Sequence, residues 1–93
     1  MESGKVRPAL NGLVNAVPVT IGGERWEVYV IGLTVSDANW LIHTVVVGPH
    51  TRTFMIPVPR TLTLRAMARA ILDSVVDRMV DARAVIAARS APR

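Results

Sequence analysis

A chain of 93 residues has the length of one domain and buries on the order of 60–65% of its unfolded surface, enough to fold without staples. With no cysteine, disulfides, thiolate metal sites and thiol catalysis are excluded. The net charge of +4 and pI near 11.1 favour polyanionic partners, but ten of the eleven basic residues are arginine in a chain rich in Ala and Val. A GC-rich genome produces that composition without selection for nucleic acid, so solubility is the preferred reading of the charge.

Residues 1–16 mix Glu2, Lys5, Arg7 and Pro8 with scattered apolar residues and lack the apolar core of roughly 7–15 residues of a signal peptide. They read as an N-terminal arm, partly ordered at most, and the expected compartment is the cytoplasm. No apolar run approaches the roughly 20 residues needed to cross a bilayer, so no membrane partner is expected despite 51% hydrophobic residues.

Residues 17–21 alternate as a strand, and Gly22-Gly23 supplies a two-residue hairpin turn. Residues 24–35 are rich in aromatic and β-branched side chains, interrupted by Gly32, and Ser36-Asp37-Ala38-Asn39 reads as a polar loop. A third strand follows over 39–47 and a turn over 48–51. The fourth, over 52–58, contains Pro57, which suits a sheet edge where no ladder donor is needed.

From Thr61 the period becomes helical, with Leu64, Ala68, Ile71, Leu72, Val75, Met79, Ala82 and Ile86 on one stripe. Thr61 or Thr63 serves as N-cap, and Ser90 followed by Pro92 marks the stop. The predicted fold is therefore α+β. Residues 17–93 form a four-stranded antiparallel meander followed by one long C-terminal helix packed on one face (ββββα).

Loop lengths predict a register, because side chains alternate between sheet faces. The helix-facing side is expected to carry Val17, Val19, Trp26, Val28, Val30, Leu41, Val45, Val47, Phe54, Ile56 and Val58. The other is expected to carry Thr20, Arg25, Glu27, Tyr29, Ile31, Leu33, Val35, Trp40, Ile42, Thr44, Val46 and Met55. One helix covers one side of a sheet, so the apolar middle of the second face, with Tyr29, Ile31, Leu33, Trp40, Ile42 and Met55, calls for a cover. A homodimer mate is the expected one, with the arm of residues 1–16 as the alternative. A helix of about 27 residues spans roughly 40 Å and overhangs strands of roughly 27 Å, so Val80, Val85 and Ile86 join the expected interface.

Constellations that carry chemistry are weak. His43, Ser36 and Asp37 are the residue types of a nucleophile triad without its supporting features, and His43 is expected as a hydrogen-bonded core residue beside Gly32. Asp73, Asp77 and Asp81 form a ridge that reads as a solvated, partly ion-paired helix face rather than a cation site. No glycine-rich loop joins a strand to a following helix to cradle phosphate, and no cofactor or metal site is expected.

The preferred expectation is a non-catalytic homodimeric module, a small adaptor or inhibitor that binds an as yet unidentified protein. The alternative is a sequence-tolerant nucleic-acid binder that stacks bases on a partly aromatic sheet face, with Arg25, Arg60, Arg65 and Arg69 on the backbone. The strand order resembles that of dimeric single-strand-binding domains of the Whirly and Pur kinds, a likeness of topology that implies nucleic-acid binding without any residue correspondence.

Overall fold

The computed structural model describes the backbone of residues 3–90 and the side chains of residues 6–81. Helix α1 (Ser3–Leu13) precedes four strands, β1 (Asn15–Ile21), β2 (Glu24–Ser36), β3 (Asn39–Val47) and β4 (Thr51–Pro59), and helix α2 (Leu64–Ser90) follows them. The strands form one antiparallel sheet in the order β1-β2-β3-β4. The ββββα arrangement expected from the sequence is present, with α1 added in the segment read as an arm.

Turn chemistry explains the meander. Gly22 and Gly23 have φ of 59° and 82°, the left-handed pair that a two-residue hairpin requires. Ser36 pairs with Asn39, so the next turn is only Asp37-Ala38, and Asp37 takes a φ of 51°, a conformation its short polar side chain tolerates. Gly48 lies against Trp26, and a Cβ there would come within 2.6 Å of the indole.

Both helices pack on the same side of the sheet. Thr63 caps α2, its Oγ1 accepting from the Ala66 N–H at 3.2 Å, and Met67, Ala68, Ile71, Val75 and Met79 form the buried stripe. They meet Trp26, Val28, Ile42, Val46, Ile56 and Val58 in one core, where each fully buried Val or Ile contributes about 1.5–3 kcal/mol. Leu10 of α1 and Val14, the residue just after it, add to this core, both fully buried, with Val6 one turn before Leu10 packed beside them. Pro8 inside α1 lacks a helix donor, and its cost disguises the helix in the sequence.

The register departs from the expected one in a consistent way. A bulge at Ile31 separates the pairs Val30↔Thr44 and Gly32↔His43, and β3 turns into β4 through three residues, with Val47 opposite Thr51. Both features shift β3 by one residue, and a one-residue shift moves every side chain to the other face. Trp40, Ile42, Thr44 and Val46, expected on the open face, are therefore buried under the helices. Leu33, also expected on the open face, packs against the core, and Val35 lies opposite Trp40. Leu41, His43, Val45 and Val47 change places with them.

Candidate functional site

With both helices on one side, the other face of the sheet is uncovered by any described element. Its rows follow from the pairs Glu27↔Val47, Tyr29↔Val45, Leu41↔Pro57 and His43↔Met55. Met55 is 47% exposed and Val47 40%, while Tyr29, Leu41, His43 and Val45 are half-buried. The centre of this face belongs to the two inner strands and β4, where Leu41, Val45, Val47 and Met55 surround His43, with Thr34 and Thr53 beside them.

His43 sits in the middle of β3, not in the core where the sequence placed it. It does lie beside Gly32 as expected, and its Nε2 hydrogen-bonds with Thr34 Oγ1 at 2.8 Å. Among the described residues neither Ser36 nor Asp37 is bonded to it, so no nucleophile triad forms. No group of three His, Cys, Asp or Glu able to hold a metal ion occurs among the described residues. Asp73, Asp77 and Asp81 are exposed on α2.

One end of the open face is polar. Arg25 and Glu27 are ion-paired at 3.8 Å, and the Tyr29 hydroxyl donates to Glu27 Oε1 at 2.9 Å. That hydrogen bond, with lesser contributions from desolvation and the carboxylate's charge, raises the Tyr29 phenol above its ordinary value.

The residues singled out from the sequence separate into distinct places. Tyr29 and Met55 are on the open face, and Ile31 protrudes at the bulge, 52% exposed. Leu33, Trp40 and Ile42 are on the helix side, and the last two are core residues of the single chain. Val80 is 49% exposed on α2, and the side chains of Val85 and Ile86 lie outside the described residues. Leu41, Val45 and Val47, missed from the sequence, take the place of the lost residues, and Gly32 was the signal for the bulge that puts them there.

The four arginines considered for phosphate contact do not share a surface. Arg25 is on the open face, paired with Glu27. Arg60 lies over the Trp40 ring at 4.9 Å, donates to the Asp37 carbonyl at 3.3 Å, and its backbone N–H bonds Ala38 O at 3.0 Å. Arg65 and Arg69 are exposed on α2, across the sheet from the open face. Trp26 and Trp40 are buried on the helix side and Phe54 packs there too, so Tyr29 is the one Phe, Tyr or Trp ring on the open face, with the His43 imidazole beside it on β3.

Among the described residues no helix is long and apolar enough to cross a membrane. Comparison with protein-family models, with curated proteins and with solved structures found no match to the chain.

Proposed function

We propose that the chain is a non-catalytic interaction module that self-associates and acts by binding protein, as a small adaptor or inhibitor does. The supporting observation is the placement of both helices on one side of the sheet, which leaves Leu41, Val45, Val47 and Met55, set around His43, on a face that no described element covers. A cluster of accessible apolar side chains on an uncovered sheet face marks a contact surface. A second copy is the simplest occupant, because an isologous contact satisfies the same patch on both chains at once.

The test replaces Val45 by Asp, which puts a charge in the centre of the open face without touching the helix-side core. The expected result is a mass halved by light scattering with little change in the unfolding midpoint. A variant that keeps the parent's dimeric mass, or a parent that is monomeric throughout, contradicts the reading.

A further inference from the structure

The three free stretches of strand edge in this sheet are each obstructed, whereas no described element covers its open face. On β4 the free edge carries Pro57 and Pro59, and on β1 it carries Pro18 next to a bulge at Ala16, whose φ is 58°. A proline in an edge strand turns its donorless nitrogen to the free side, so a strand added there loses ladder bonds. Beyond Tyr29, β2 has no β1 partner, but α1 packs on β2 there, and Arg7 donates to the carbonyl of the bulged Ile31 at 3.0 Å. The chain is built against lateral extension of its sheet.

We infer that two copies pack open face to open face about a two-fold axis, as a four-layer sandwich, and do not join edge to edge. This rests on the self-association proposed above. Four strands about 4.8 Å apart, of 7, 13, 9 and 9 residues at about 3.4 Å each, present roughly 600 Å² per copy and roughly 1,200 Å² for the pair. That area reaches the lower bound, about 1,200 Å², of a stable specific interface.

Charge fits the same arrangement. An axis running along β2 and β3 brings like ends of the two copies together, so the Arg25–Glu27 pair of one copy lies beside that of the other, each neutralised within its own chain at 3.8 Å. The polar end of the face thereby brings no uncompensated charge into the contact. His43, at the centre of β3, lies close to that axis, in a ring of Gly32, Thr34, Leu41, Val45 and Met55.

The distance between the two α2 helices separates the two modes of assembly. With no cysteine in the chain, Asp73→Cys on the exposed side of α2 gives one spin-label site per copy. In the sandwich the helices are the outermost layers, three spacings of about 10 Å apart, and the labels project further, giving roughly 40 Å. In a sheet extended edge to edge they lie side by side on one face, roughly 20 Å apart or less.

Pulsed electron paramagnetic resonance on the full chain, with mass by light scattering on the same sample, reads both. A dimeric mass with a distance near 40 Å is the expected result. A dimeric mass with a distance near 20 Å or shorter overturns the sandwich alone. A monomeric mass overturns the self-association on which it rests.

Discussion

The imidazole of His43 lies against Gly32 across the β2–β3 pair, where a Cβ would stand 3.3 Å from its Cγ. Gly48 makes the corresponding approach to Trp26, but there a Cβ would stand 2.6 Å from the indole and 3.0 Å from the Arg25 carbonyl oxygen. The first neighbour is a half-buried side chain, hydrogen-bonded to Thr34, that needs to give by a few tenths of an ångström. The second is a buried ring wedged against backbone.

The two glycines therefore differ in tolerance. Gly48→Ala is expected to cost about 1–3 kcal/mol, the usual penalty of overpacking. For Gly32→Ala the β-bulge backbone is retained and the change stays within about 1 kcal/mol of the parent, since the lost backbone freedom of glycine offsets the displaced ring. Urea unfolding of both variants checks the ranking, and equal midpoints contradict it.

Trp40 is a fold residue, not an interface residue. Trp40→Ala is expected to cost about 3–5 kcal/mol of unfolding free energy by emptying the core. Arg60→Ala, which removes the guanidinium over the ring, costs about 0.5–1 kcal/mol. Denaturant unfolding measures both. A Trp40→Ala chain that keeps its unfolding midpoint and loses only its dimeric mass would return Trp40 to the interface.

Tyr29 is the only tyrosine in the chain, so phenolate absorbance reports it alone. Its hydrogen bond to Glu27 raises the folded-state value above 10.0, and the midpoint is expected to fall back in Glu27→Ala. A group raised on folding stabilises fully below its unfolded value and loses that contribution as pH rises through its folded one. The contribution of this pair is therefore intact up to about pH 10 and fades above it. A titration indifferent to Glu27→Ala contradicts the assignment.

A mixed single-stranded oligonucleotide is expected to leave the mass of the protein unchanged at low salt. Backbone binding needs several cations on one surface and weakens steeply with salt. On the open sheet face, which carries Tyr29, only Arg25 of the four candidates is present, already paired with Glu27, whereas Arg60, Arg65 and Arg69 lie on the helix side. A gain in mass at low salt that disappears at high salt contradicts this expectation.

Much of the fold was legible because its signals are local. Gly22-Gly23 marked the first hairpin, Pro57 the edge strand, and the stripe from Ala68 to Met79 the long helix. The faces were less legible, because register integrates small errors along the chain. The bulge at Ile31 and the three-residue turn after Val47 each displace β3 by one position, and together they leave β1, the first half of β2 and β4 correctly placed. The flip of β3 alone exchanged Trp40 and Ile42 for Leu41 and Val45, so the open apolar face survived with different residues. Helix α1 stayed hidden because Pro8 breaks its pattern, and its burial at Leu10 and Val14 is a tertiary effect.

The most direct test of the open face as the self-association surface is the methionine methyl NMR spectrum followed on dilution. Met67 and Met79 are buried on the sheet-facing side of α2, whereas Met55 is on the open face, so the chain carries its own internal controls. The Met55 methyl signal is expected to shift or broaden with concentration while those of Met67 and Met79 stay fixed. A Met55 signal independent of concentration, in a sample whose mass shows a dimer, would place the contact elsewhere and contradict the account.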